Sequence, residues 1–296
     1  MKKYLINIVY GYYYARLLYT INPKWAVNMM YRRAFHKNVN WENPKNLIEK
    51  YYWLLYNTDT SLWTKCADKY KVREFIKEKG CAETLVELYG AWDNVDDINF
   101  DALPNQFVFK SNNGCGTVMI VKDKSTLDWK KTKKTLKSWL KYPFGYAGGQ
   151  KHYFSIPPCI IAEELLLEKN EGVKTTSLVD YKIWCLNGEP ECVLVAYDRK
   201  GMHAAKALYD LNWNNISAKA FNVSSADQEV PKPQNFDKML EYARQLSAGF
   251  PEVRVDFYNI NGKIYFGEMT FTSGYGTFTE EYYNYLGSKI DLDSYR

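Results

Sequence analysis

Residues 254–258 (RVDFY) and 263–271 (KIYFGEMTF), joined by Asn259-Ile260-Asn261-Gly262, constrain the fold more than any other stretch of the chain. Asn-Gly tolerates the positive φ of a tight turn, so the pattern predicts an antiparallel hairpin. Strict alternation places Arg254, Asp256 and Tyr258 on one face, with Val253, Val255 and Phe257 on the other. On the second strand it sets Lys263, Tyr265 and Gly267 against Ile264, Phe266 and Glu268. A ladder of Val, Phe, Ile and Tyr is largely buried, yet it carries Asp256 and Glu268. Buried carboxylates demand a cation or several hydrogen-bond donors. One such acid reads as a strand-end salt bridge; two beside an arginine favour metal–phosphate chemistry.

The remaining composition narrows the setting. With 296 residues and 46% hydrophobic content the chain can bury a core spread over two or three subdomains. A net charge of +5 suits anionic small ligands and does not specify nucleic acid, since no long basic run is interleaved with aromatics in the manner of a nucleic-acid groove. Lys130, Lys131, Lys133, Lys134 and Lys137 alternate with Leu136, Trp139 and Leu140 and predict a helix with one solvated basic face. Six cysteines without CxxC spacing read as reduced thiols in a cytoplasmic protein. Three scattered histidines do not make a zinc site, so metal chemistry here is oxygen-ligand chemistry, magnesium or manganese. The aromatic residues 4–15 are too short to span a membrane and have two readings: a helix docked on the core, or peripheral membrane association at the inner face.

Along the chain, residues 6–53 read as helical and aromatic, broken near Pro23 and Pro44. Asp68 can cap a helix carrying Lys69 and running to Gly80, followed by a strand over residues 84–90. Residues 106–110 form an apolar strand that delivers Lys110 to Ser111-Asn112-Asn113-Gly114-Cys115-Gly116-Thr117, with the strand 118–121 beyond. Strand, glycine loop and strand make a hairpin flap, not a Walker loop, and such a flap can lay backbone N–H groups over phosphate. The buried strand at 157–166 ends in Glu163 and Glu164, residues 179–186 and 191–196 pair through Asn187-Gly188, and a helix covers 235–248. Asp180 and Lys182 share a strand face, while Arg199, Lys200, His203 and Lys206 crowd one loop and strand start.

Taken in order, Lys69, Lys110 before its flap, Glu163-Glu164, Asp180-x-Lys182, Arg254-x-Asp256 and Glu268 form a constellation that resembles the ATP-grasp superfamily, most closely its TupA-like branch. The phrases FVFKSNNGCG, IIAEELL, DYKIWCLNG, LYDLNW and FPEVRVDFYNINGKIYFGEMTF carry the resemblance across roughly residues 43–271. It implies an α+β ATP-grasp fold, two α+β subdomains gripping ATP between antiparallel sheets, behind a helical N-terminal region. The expected divisions are 1–65 (helical), 66–158 (first subdomain with the flap) and 159–296 (second subdomain with the metal-binding hairpin).

The implied activity is ADP-forming ligation of a carboxylate, on a small molecule or glycan, to an amine by way of an acyl phosphate, in surface-polysaccharide or teichuronopeptide-type synthesis. By the same resemblance, Lys69 and Lys110 contact α/β-phosphates under the flap formed by Asn112, Asn113, Gly114, Cys115, Gly116 and Thr117. Glu163, Glu164, Leu165 and Leu166 meet adenine and Asp180 the ribose. Asp256, Glu268 and Thr270 hold magnesium. Arg254, with Lys182 and Arg199, serves the transferring phosphoryl group, its guanidinium standing about 6–7 Å along the strand from the metal ligand. Two positions depart from the superfamily pattern: Thr270 stands where Asn is usual, and Cys115 and Thr117 where glycine or serine is frequent. Two other classes compete: a glycosyltransferase using Asp291-Leu292-Asp293, and a nucleotide-binding partner without turnover.

Overall fold

Two Asn-Gly pairs set the frame of the larger sheet. Asn187 and Gly188 adopt φ of 52° and 82°, and Asn261 and Gly262 adopt 52° and 78°, the paired positive values of a tight hairpin turn. The computed structural model describes residues 14, 16–142, 144–167, 172–200, 203–223 and 225–295. The aromatic stretch 4–15, Tyr14 apart, and residues 168–171 of the polar loop lie outside them.

The described residues form two compact units that interleave along the chain: those within 14–44, 53–70 and 88–165, and those within 45–52, 71–87 and 166–295. The first unit holds a four-stranded antiparallel sheet of β1 (Leu88–Trp92), β2 (Phe107–Ser111), β3 (Val118–Val121) and β4 (Ile160–Glu163), in the order β1-β4-β2-β3. β4 is thus an inner strand of this sheet. Phe107, Phe109, Val121, Ile160 and Ala162 pack with Leu136 of the lysine-rich helix Trp129–Leu140. Asp128 caps that helix by accepting from the Lys131 N–H at 3.0 Å, and its lysines face outward, with Lys137 and Lys133 meeting Asp96 at 2.7 and 4.0 Å.

The second unit holds a five-stranded antiparallel sheet: β5 (Asp180–Leu186), β6 (Glu189–Lys200), β7 (His203–Tyr209), β8 (Glu252–Ile260) and β9 (Lys263–Thr270), ordered β7-β6-β5-β8-β9. The helix Phe236–Ser247 lies against β5, β6 and β8 and buries Met239, Ala243 and Leu246. Val253, Val255 and Phe257 are fully buried, as alternation requires of the apolar face of β8.

Two local expectations are corrected. Lys69 is not on a helix: Asp68 Oδ1 accepts from the Tyr70 N–H at 2.8 Å, holding residues 68–71 in a turn, and the helix starts only at Val72 and ends at Glu78. The strand expected over 84–90 begins at Leu88, because Ala82–Thr84 closes a 3-10 turn.

Candidate active site

A third correction decides the site. Strict alternation sends Glu268 to the apolar face with Phe266, but β8 and β9 pair with a bulge: Asp256 stands opposite Glu268, and Phe257 opposite Phe266. Gly267 is the extra residue, so the parity of β9 reverses there and Glu268 and Thr270 join the polar face while Met269 and Phe271 are buried. Glycine is needed for close approach: a Cβ at 267 would stand 3.0 Å from the Asp256 carbonyl oxygen.

That polar face gathers seven of the residues singled out in the sequence. Arg254 Nε donates to Asp256 Oδ1 at 2.6 Å and its Nη2 to Asp256 Oδ2 at 2.7 Å, to Glu268 Oε1 at 3.0 Å and to Thr270 Oγ1 at 3.1 Å. Lys182 Nζ donates to Asp256 Oδ2 at 2.5 Å and lies 3.6 Å from Asp180. Arg199 Nη2 donates to Asp180 Oδ2 at 2.7 Å. The guanidinium expected one residue pair away from Asp256 therefore folds directly onto it, and also lies over the Trp184 ring at 5.4 Å.

Burial opposes the Arg254 charge, but Asp256, Glu268 and Asp180 outweigh it and push the guanidinium up. Burial pushes the Asp256 carboxyl above its ordinary range against the pull of Arg254 and Lys182. Three residues were not assigned from sequence. Lys206 on β7 pairs in register with Ala196, which itself faces Asp180, and burial together with Arg199, Lys182 and Arg254 lowers its pKa. Tyr258 is raised by the Asp180 charge and by burial, and Trp184 stands opposite Arg254. Alternation alone marks Tyr258 and Trp184, since they sit two residues from Asp256 and Lys182. Four cations here face three carboxylates, so the face retains positive charge for an anion.

In the first unit, Lys110 Nζ meets Glu163 Oε2 at 2.8 Å across β2 and β4, and Glu163 is buried. Glu164 and Leu165 continue beyond β4 as half-buried irregular chain, and Leu166 follows them. The flap after Lys110 is anchored at its root. The Asn112 amide donates to the Pro157 carbonyl at 2.9 Å and accepts from the Cys159 N–H at 2.8 Å. Ser111 Oγ bonds the Asn113 carbonyl and the Thr117 hydroxyl. Gly114 and Gly116 take φ of 76° and 82°, Cys115 between them is exposed, and Lys69 Nζ donates to the Gly114 carbonyl at 2.5 Å. Asn112 thus fixes the flap, with Gly114 buried and Cys115 and Gly116 exposed at its tip.

For magnesium, the donors Asp256, Glu268 and Thr270 are of the right chemistry, and Arg254 already bridges the two carboxylates while Lys182 holds Asp256. Among the described residues no three His, Cys, Asp or Glu side chains could hold a metal alone. Phosphate oxygens would have to complete its shell, as is usual for magnesium.

Several solved structures are similar in fold. They include a D-alanine–D-alanine ligase from Bacillus anthracis complexed with ATP (14% identity, 71% of this chain and 55% of that chain, TM-score 0.41). An ADP complex of N5-carboxyaminoimidazole ribonucleotide synthetase follows at 11% identity, 78% and 52% coverage and TM-score 0.48. An L-amino acid ligase from Bacillus licheniformis follows at 12%, 77% and 46%, and 0.45. The chain spans about half the length of these structures. No curated protein matches. The family model described as TupA-like ATPgrasp matches residues 49–291, which include both sheets and both charged clusters. The chain belongs to the TupA-like ATP-grasp family.

Proposed function

We propose that the protein is an ATP-dependent, ADP-forming ligase that activates a carboxylate as an acyl phosphate and joins it to an amine. The observation that carries this reading is the Arg254 cluster, where a planar cation bridges Asp256, Glu268 and Thr270 on one sheet face among further cations. Such a preorganised fork suits charge that develops on a transferring phosphoryl group. Bound magnesium, held by Asp256, Glu268 and Thr270, would offset phosphate charge. Lys182 and Arg199 orient phosphate oxygens beside Asp180, which receives ribose hydroxyls. In the first unit Lys69 and Lys110 supply phosphate contacts and the flap its N–H groups, with the adenine edge met by Glu163 and the residues after it.

The family resemblance supports a glycan or amino-acid carboxylate as acyl donor and a role in surface-polysaccharide synthesis at the inner face of the membrane. Among the described residues no helix is long and apolar enough to cross a membrane. A second reading, nucleotide binding without turnover, draws on one observation: both Asp256 oxygens are engaged by protein cations. Magnesium-dependent ADP release, with hydroxylamine present to trap an acyl phosphate as hydroxamate, separates the two.

A further inference from the structure

The polar face continues past Arg254 to a carboxyl that the proposed ligation leaves unused. Glu252 opens β8 two residues before Arg254, so alternation turns it to the same face, opposite Leu186 of β5. It is completely buried. Oε1 accepts from Ser273 Oγ at 3.2 Å, but Oε2 has no hydrogen-bond partner. Trp184, across the ladder from Arg254, likewise holds a buried indole N–H without an acceptor. A buried polar atom left unpaired is destabilising, and these two lie at one end of one charged sheet face. The chain after β9 comes close there: a Cβ on Gly274 would stand 3.0 Å from the Trp184 ring, and Gly274 and Gly276 take φ of 76° and 69°. Burial holds the Glu252 carboxyl well above its ordinary range, with only Arg254 and the Ser273 hydrogen bond acting against it.

An orphan carboxyl oxygen two residues from the phosphoryl-directed arginine complements one chemistry, a compact cationic donor. We infer that Glu252, with Ser273 and Trp184, forms the subsite for the amine substrate, Oε2 pairing with its ammonium group and the Trp184 indole N–H, which only donates, with an acceptor oxygen of the same substrate. This deepens the ligase reading and rests on it. An ammonium is not a nucleophile, and one proton must leave before nitrogen attacks the acyl carbon. Burial keeps Glu252 protonated in the empty site, so ammonium binding first releases that proton to solvent; in the resulting ion pair one nitrogen proton passes to Oε2, giving the free amine and the neutral acid. The amine then forms the C–N bond as the acyl C–O bond to phosphate breaks, and its second proton leaves with the departing phosphate. Glu252 is therefore both anchor and proton acceptor.

Glu252→Gln keeps the shape and the Ser273 contact, and Trp184→Phe removes the indole N–H as a second, milder variant. Each is assayed for two products from the same carboxylate panel: hydroxamate, with hydroxylamine as a weakly basic nucleophile that needs no deprotonation, and amide, with the twenty amino acids supplied as amines. Hydroxamate within twofold of wild type, with amide lowered at least tenfold in Glu252→Gln and the amine KM raised in Trp184→Phe, is the expected result. Unchanged amide, or equal loss of both products, overturns the subsite. Absence of hydroxamate from the wild type would defeat the ligase reading instead. A separate binding arm then still decides on Glu252: infrared difference spectra of the full chain during methylammonium titration. Conversion of the acid band assigned by Glu252→Gln to carboxylate supports the subsite, and an unmoved band rejects it.

Discussion

Arg254→Met asks whether the guanidinium does chemistry or only holds Asp256. The substitution deletes both hydrogen bonds to Asp256 and those to Glu268 and Thr270, leaving the buried Asp256 carboxylate with Lys182 alone. Removing one partner of a buried ion pair costs about 3–5 kcal/mol because the other charge remains. With Lys182 still at 2.5 Å, the lower end, about 3 kcal/mol, is the expected loss. At a urea m-value of about 3 kcal/mol/M this lowers the unfolding midpoint by about 1 M. Asp256→Asn in the same chain removes the stranded charge, so the double variant should be less destabilised than the sum of the singles by about 2 kcal/mol. On the chemical side, loss of a donor aimed at developing charge lowers the rate about 10²–10³-fold with ATP affinity nearly unchanged. Urea melts of the four proteins, ATP titration and hydroxamate yield are measured on the same preparations. Additive melts would show that the pair is not coupled. Wild-type hydroxamate yield in Arg254→Met would end its assignment to the phosphoryl group.

Further outcomes follow from the same contacts. Gly267→Val drives a side chain toward the Asp256 carbonyl and should cost about 1–3 kcal/mol in urea unfolding while weakening magnesium dependence; unaltered behaviour would contradict the role of the bulge. Lys110→Ala should weaken ATP by about 1.5–3 kcal/mol and also removes the 2.8 Å contact to the buried Glu163, so Lys110→Ala with Glu163→Gln should restore adenosine binding but not ATP; equal recovery of both would make Lys110 structural. Because the folded-state pKa of Glu252 is raised, the stability it contributes is full below the ordinary carboxyl value of 4.5 and is lost as pH rises, while the unfolded chain ionises and the folded chain keeps its proton. Glu252→Gln should therefore match the wild-type urea midpoint below the ordinary carboxyl value and exceed it as pH rises past that value, and parallel curves would show that Glu252 is ionised when buried.

The parts of the site that obey simple rules were legible in the sequence. Asn187-Gly188 and Asn261-Gly262 announced both hairpins, and alternation put Arg254, Asp256, Asp180 and Lys182 on common faces before any pairing was known. Alternation puts Glu268 on the wrong face because a bulge reverses parity from one residue onward, and nothing in KIYFGEMTF except its glycine marks the place. Lys69 was misassigned for a related reason: an Asp that can cap a helix can equally close a turn on its own neighbour, and tertiary packing decides between them. Lys206 was noticed only as one of a basic group, because its place beside Arg199 and Lys182 depends on the pairing of β6 with β7. Glu252 sat in plain view two residues from Arg254, but its burial and its unpaired oxygen are properties of the folded sheet.

The central claim, phosphorylation of a carboxylate by ATP, is tested most directly by hydroxamate trapping across uronic acids and amino acids, read together with ADP release. The wild-type protein should release ADP only with magnesium and a suitable carboxylate, and form hydroxamate in equal amount. Glu268→Gln, which retains shape and removes the carboxylate in register with Asp256, should lower both at least tenfold, the scale of a lost charge-assisted contact of about 1.5–3 kcal/mol. ATP binding without ADP release, or ADP release with no hydroxamate from any carboxylate, would contradict it.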